Sequence, residues 1–335
     1  VRAARFEGGG VVSFEERPEP VAGPGEAVVE VEYCAFCGSD KRLLRHGSAF
    51  VPGHEVVGRV AAVGGGEAAV AVGEAVAVYA PLFCGSCRWC LSGATNRCAA
   101  LAGVVGFQFD GGFAERLVVP ARNLMVVPRD VPLARAVLVL DTLGTAANGI
   151  ERARAAVDGN DGPVLVLGCG PLGLGAVAVA RRWGMEVVAH DVSAARLDAA
   201  VGLGARRWEA PDVGAEGAAG PDCFGVVVEA SGAPEARELA GRVVGQGGAV
   251  LMLSEGEHPW VLPPTLRWRR TEAAWVRSFY FPLEAAPRTW QLVRDVGGEL
   301  EERLVSHERF ADLPRVSADF LGGGSPKPVV GIGGR

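Results

Sequence analysis

The sequence predicts an α/β protein in two parts: a β-rich segment forming a small barrel or sandwich, and a doubly wound parallel sheet. Three observations predict it. Up to Pro120, short valine-rich runs are closed by Gly and Pro clusters. Near residue 141 the rhythm changes, and small and apolar residues recur at helical spacing from Thr142 to Val157. From Pro163 onward, short apolar runs alternate with helical segments.

Composition bounds the rest. A chain of 335 residues is long enough for about two domains. Its 48 Gly and 21 Pro fall short of a low-complexity composition, and 49% hydrophobic residues can build a core. A net charge of −6 argues against a general nucleic-acid binder. No apolar stretch escapes Gly, Pro or charge long enough to suggest a membrane span. The start Val1-Arg2-Ala3-Ala4-Arg5-Phe6-Glu7 has no apolar leader core, so a cytoplasmic location is expected. Only Lys41 and Lys327 are lysines; all other basic residues are arginines.

In order, strands are expected at 28–33, 56–63, 76–79 and 114–119, the last ending at Pro120. The second part reads as a strand at 164–167, a helix at 172–183, a strand at 186–190 and a helix at 193–203. A strand at 226–230, a helix at 234–244 and a strand at 249–253 continue it, and a helix at 283–294 opens the tail.

Gly168-Cys169-Gly170-Pro171-Leu172-Gly173 fits G-x-G-x-x-G between an expected strand and an expected helix. Gly168 permits the tight turn, Gly170 lets a pyrophosphate approach the backbone, and Gly173 allows close helix packing. The helix start at Pro171 and Leu172 supplies free N–H groups and the positive end of a dipole. Asp191 stands about 20 residues on, where a carboxylate accepts from ribose hydroxyls and repels a 2′-phosphate. NAD is therefore expected over NADP, although the guanidinium of Arg196 on the adenosine side works against that choice.

The eight cysteines are not scattered. Cys84, Cys87, Cys90 and Cys98 fall within one short loop, where four thiolates close a tetrahedral structural Zn²⁺ site. An iron–sulfur cluster and free thiols are the alternatives; the ferredoxin run ends in Cys-Pro, whereas Cys98 precedes Ala99. A zinc module for nucleic acid would have only Arg88 and Arg97 as its basic patch. Cys37-Gly38-Ser39-Asp40 and Gly53-His54-Glu55 offer a thiolate and an imidazole, two ligands of a catalytic zinc that needs a third. Taken singly, each also has an ordinary reading, as a core thiol or a surface His-Glu.

Taken in order, Cys-Gly-Ser-Asp, Gly-His-Glu, the four-cysteine lobe, Asp110-Gly111-Gly112-Phe113-Ala114-Glu115 and the glycine loop resemble the zinc-containing medium-chain dehydrogenases/reductases. This is the superfamily of alcohol, sorbitol and threonine dehydrogenases, and the resemblance covers almost the whole chain. It implies a GroES-like β-barrel catalytic domain over 1–141 and 279–335, with a structural zinc lobe at 84–98. A Rossmann NAD-binding domain over 142–278 is inserted between the two pieces.

The resemblance further implies two zinc ions per chain. Cys37 and His54 match the first catalytic ligands, and Glu55 the neighbouring carboxylate that approaches the metal. Asp141, in Asp141-Thr142-Leu143-Gly144, stands where polyol-type members carry a glutamate, and is one methylene shorter. Asp40 is expected to be a hydrogen-bonding residue rather than a ligand. Ser39 matches the hydroxyl that relays the alcohol proton, or caps the helix that follows. His46 falls near the substrate cleft, and Phe107 walls the pocket or packs in the core. Cys34 forms Cys-x-x-Cys with Cys37, but a redox pair would compete with zinc for Cys37, so a buried thiol is expected. Cys169 lies inside the glycine loop, and Cys223, His190, His258 and His307 have no companions at ligand spacing.

The expected function is interconversion of a secondary alcohol (polyol, sugar or cyclitol, with aminocyclitol dehydrogenases as a similar branch) and its ketone, by hydride transfer with NAD. The alternatives are an NADPH-preferring ketone reductase of a biosynthetic pathway and a non-catalytic zinc- and nucleotide-binding regulator. The expected partners are a small-molecule alcohol or ketone and further copies of the chain in a homodimer or homotetramer. Neither nucleic acid nor membrane is among them.

Overall fold

The computed structural model describes residues 1–65, 69–209, 224–255, 259–260 and 266–333. Cys223 and His258 lie outside the described residues. Two compact units emerge, one made of Val1–Leu140 with Pro282–Arg335 and the other of Asp141–Phe281.

The first unit is built on a mainly antiparallel sheet. Its strands run in the order Val305–Arg309, Lys327–Gly331, Glu26–Ala35, Glu55–Val63, Ala75–Val78 and Leu124–Val126, with Arg116–Pro120 also paired to Glu26–Ala35. Valine-rich alternation suits these half-buried pleated surfaces. A hairpin of Arg2–Gly8 and Val11–Glu16 lies outside this sheet. Phe36 sits between Phe113 and Phe320, its ring centroid 4.6 Å from the first and 5.0 Å from the second, and anchors the core. The register matters most at one end: Ala35 is opposite Glu55 on one side and Val329 on the other.

The second unit is a parallel sheet. Its strand order is Arg206–Arg207, Val187–His190, Val164–Leu167, Phe224–Glu229, Val244–Met252 and Ala274–Arg277. By position in the unit this is 3-2-1-4-5-6, the doubly wound order of dinucleotide-binding sheets. Every pair is parallel. Strands buried on both faces explain why Val164–Leu167 reads as an unbroken apolar run. Leu165, Val188, Val227 and Val250 form its core.

Several element boundaries differ from the sequence reading: the strand expected at 249–253 spans Val244–Met252, and two helices differ as well. The helix expected at 283–294 runs over Ala286–Leu304, straight through Gly297-Gly298. Inside this helix, the Arg135 side chain lies where a Gly297 Cβ would point, 3.1 Å away. Its guanidinium donates to Glu301 of the same helix at 2.7 Å. The helix expected from Thr142 begins instead as a π-helical turn, Leu140–Thr145, and continues as the α-helix Ala146–Arg154. The stretch Leu133–Arg154 is apolar and long enough to cross a membrane by composition, but 78% of its most apolar window is buried, as in a core helix.

Candidate active site

The strand Glu26–Ala35 delivers Phe36 and Cys37 at its end, and the helix Asp40–His46 follows at once. Cys37 is buried. Its N–H donates to Oδ2 of Asp40 at 2.8 Å, and Oδ1 of Asp40 lies 3.4 Å from Nδ1 of His54. One buried carboxylate thus touches both expected ligand residues. A carboxylate facing Nδ1 across 3.4 Å stands where an outer-shell partner of a ligating histidine would stand. Ser39 occupies the N-cap position, yet no side-chain hydrogen bond caps the helix. The capping reading of Ser39 is therefore not realised. His46 closes the same helix, exposed.

The loop before His54 explains the Asp110–Phe113 stretch. Asp110 accepts from the Val51 N–H at 2.9 Å and from Arg17 at 2.8 Å. Gly111 N–H donates to Val51, Gly112 N–H to Gly53 and Phe113 N–H to Pro52. Gly53 has φ +99°, and a Cβ on Gly106 would come within 2.7 Å of its carbonyl carbon. Bare backbone on several sides fixes the peptide that presents His54. The ring of Phe107 lies 4.9 Å from the His54 ring, centroid to centroid.

Ligand atoms of Cys37, His54, Glu55 and Asp141 lie within 4.8 Å of one another. Asp141 follows directly on Leu140, within the π-helical turn, and its Oδ1 accepts from Thr145 Oγ1 at 3.2 Å. A thiolate, an imidazole and a carboxylate form a donor set that fits catalytic zinc. Glu55 is held otherwise: Lys327 Nζ lies 2.5 and 2.6 Å from its two oxygens and also donates to the Phe36 carbonyl at 3.3 Å. Sequence reasoning missed Lys327. Its one signal was rarity, as one of two lysines in an arginine-rich chain.

Ligand atoms of Cys84, Cys87, Cys90 and Cys98 also lie within 4.8 Å of one another. Cys87 caps the short helix Arg88–Leu91, and Thr95–Arg97 is a 3-10 turn. Backbone N–H groups of Ser86 and Cys87 point at the Cys84 sulfur from 3.4 and 3.3 Å and lower its thiol to about 6. Desolvation raises Cys90 to about 12. Four sulfurs with N–H groups aimed at them suit a closed tetrahedral zinc site. Thr95 Oγ1 ties the lobe down by accepting from the Leu283 N–H at 2.8 Å.

In the second unit the glycine loop joins Val164–Leu167 to the helix Pro171–Arg182, which Gly170 caps. Gly168 has φ +93°, and a Cβ on Gly173 would collide with the Gly168 carbonyl. A Cβ on Gly170 would meet nothing within 4 Å, so that glycine leaves open space rather than serving internal packing. Together with the free N–H groups that open the helix, this fits a dinucleotide pyrophosphate. Asp191 accepts from the Cys169 N–H at 2.7 Å and the Ser193 N–H at 2.8 Å, so it also shapes the loop. Arg196 is half-buried, near enough for its charge to act on the Cys169 thiol. Cys34 and Cys169 are buried thiols.

The description "Alcohol dehydrogenase GroES-like domain" matches residues 23–129, and "Zinc-binding dehydrogenase" matches residues 171–294. L-threonine 3-dehydrogenase of Stenotrophomonas maltophilia is 35% identical over 205 residues, covering 58% of each chain. The chain thus spans little more than half the length of that curated relative. Alcohol dehydrogenase TADH from Thermus sp. ATN1 superposes with a TM-score of 0.86 at 28% identity, covering 99% of both chains. A short chain alcohol dehydrogenase from Escherichia coli CFT073, complexed with the cofactor NADH, gives 0.84 at 26% identity over 99% of both.

Proposed function

This chain belongs to the zinc-containing medium-chain dehydrogenase/reductase superfamily, and on that premise we propose that it interconverts a secondary alcohol and its ketone using NAD. The observation that carries the reading is the convergence of Cys37, His54, Glu55 and Asp141. In this reading Cys37, His54 and Asp141 hold a catalytic zinc, while the four lobe cysteines hold a structural one. The catalytic ion supplies Lewis-acid polarisation of the substrate oxygen.

The chain's own residues do the rest. Asp40 orients His54 and Cys37, and Thr145 orients Asp141. Lys327 occupies both oxygens of Glu55, which favours Asp141 as the third ligand. Ser39, whose hydroxyl is not spent on capping, moves the alcohol proton outward. Phe107 walls the substrate side of His54, and His46 hydrogen-bonds a polyol hydroxyl. Gly168, Gly170 and Gly173 receive the pyrophosphate, and Asp191 accepts from the adenosine ribose.

A carboxylate third ligand favours polyols, sugars and cyclitols, aminocyclitols among them, as substrates. Four cluster cysteines that must stay reduced favour the cytoplasm. A homodimer or homotetramer is the assembly that goes with the family reading.

A screen of polyols, sugars and aminocyclitols with NAD⁺ and NADP⁺, followed by nicotinamide absorbance, tests this. Turnover with NAD⁺ that is lost in Cys37→Ser and His54→Ala is expected. Full turnover in either variant sinks the catalytic-metal assignment. A second reading, an NADPH-preferring reductase, has the position of Arg196 in its favour, and a clear preference for NADPH in the same screen would establish it.

A further inference from the structure

Resting on the reading that this chain binds a dinucleotide, we propose that Glu229 is a positioning residue for the phosphate loop. It locks the turn at residues 230–233 against Gly168 and so fixes the loop's first glycine.

Glu229 ends the strand Phe224–Glu229 and is fully buried. Its Oε1 accepts from the Ser231 N–H at 2.8 Å, the Ser231 hydroxyl at 2.7 Å and the Gly232 N–H at 2.8 Å. Its Oε2 accepts from the Ser254 hydroxyl and lies 3.8 Å from Nε of Arg237. Arg237 is itself buried, its guanidinium carbon 4.8 Å from the centroid of the Trp260 ring. The main chain joins in: Ala230 N–H donates to Leu167, and the Glu229 carbonyl accepts from Leu253 and Ser254. One residue thereby ties together the carboxyl ends of three neighbouring strands and the helix Pro234–Val243.

The turn it shapes presses on the phosphate loop. Gly232 has φ +79°, as this tight reversal requires. Ser231 lies so close to Gly168 that a Cβ there would come within 2.7 Å of its backbone nitrogen. On the other side, the Gly168 carbonyl fills the place a Gly173 Cβ would take. Gly168 is gripped between the turn and the helix, and Glu229 grips the turn.

The place is also the right one. Chain order reverses between Val164–Leu167 and Phe224–Glu229, the switch point where doubly wound sheets bind ligands. Stability alone is a weak reason to bury a carboxylate, because an apolar side chain of similar volume often serves as well. A carboxylate with four donors instead specifies one geometry for the turn.

The test uses the zinc-loaded full chain and measures the NADH dissociation constant by fluorescence, with zinc content and melting temperature alongside. Glu229→Met keeps the length and removes both acceptors; it should raise the constant about tenfold with zinc content unchanged. Glu229→Gln still offers one oxygen to the three turn donors and should return the constant to within about threefold of the parent. Ser254→Ala, a milder lesion of the same carboxylate, should raise it about threefold, and serves if the Met variant does not fold. A lowered melting temperature with unchanged NADH affinity, in Glu229→Met or in Ser254→Ala, overturns the proposal and leaves Glu229 a structural residue. A parent chain that binds neither NADH nor NADPH overturns the dinucleotide reading itself, and this proposal with it.

Discussion

Lys327 and Glu55, 272 positions apart, form a buried ion pair in which Nζ lies 2.5 and 2.6 Å from the two carboxylate oxygens. Neither residue is more than 1% exposed. The sheet makes the pairing: Ala35 has Glu55 across one edge and Val329 across the other. Lys327, two residues before Val329, therefore falls on the same face as Val329. Removing one partner leaves an uncompensated buried charge. Lys327→Met should destabilise the protein by about 3–5 kcal/mol in urea unfolding. The double variant Lys327→Met/Glu55→Gln should recover most of that loss, and equal losses in the two would deny the coupling.

Asp40 bridges the Cys37 N–H and the His54 ring. Asp40→Asn should weaken zinc at that site about 10–100-fold without touching the lobe cysteines. Dialysis against a graded chelator, counting zinc per chain, checks it. Content should fall from about two toward about one at chelator levels the parent withstands, because two ligand groups stand among the described residues. Parallel loss curves for variant and parent would remove Asp40 from this role.

Gly170 differs from its neighbours in the loop. Its φ of −75° suits alanine, and an added Cβ meets no protein atom within 4 Å. Gly170→Ala should therefore leave the melting temperature close to that of the parent and weaken NADH binding about tenfold or more, the methyl standing where the pyrophosphate approaches. NADH affinity that survives the substitution argues that the space serves something else.

In metal-stripped protein the thiols should separate by reactivity, because the thiolate is the nucleophile. Hydrogen bonds from Ser86 and Cys87 lower Cys84 to about 6, so at neutral pH it is mostly thiolate. Its alkylation should be nearly flat above pH 7 and fall as pH drops through about 6. Burial raises Cys169 to about 12 and moves Cys34 well upward, so both stay protonated and silent. Iodoacetamide labelling read by peptide mass spectrometry checks the order, and prior zinc loading should protect Cys84. Labelling of Cys34 ahead of Cys84 would contradict it.

Much of the site was legible because its parts are local. The glycine loop is six consecutive residues, and the lobe cysteines fall within one loop, so spacing alone exposed both. The alternation from Pro163 onward was legible for a similar reason: strands buried on both faces leave unbroken apolar runs. The end of the long helix was not. The helix runs on through Gly297-Gly298, where only the fold brings Arg135 against Gly297 and into its bond with Glu301. Nor does the sequence show that a π-helical turn carries Asp141, since a π turn and an α turn leave no different pattern over six residues.

By itself the sequence determined the chemistry on offer: which residues can hold metal, where a pyrophosphate meets backbone, and the order of these motifs along the chain. Tertiary structure alone decided who stands beside them. Lys327 reaches Glu55, Asp40 spans Cys37 and His54, and Glu229 holds a turn against Gly168. The physical reason is that these partnerships are set by strand register and by the turn that follows each strand. Register is a property of several segments at once, and no local spacing encodes it.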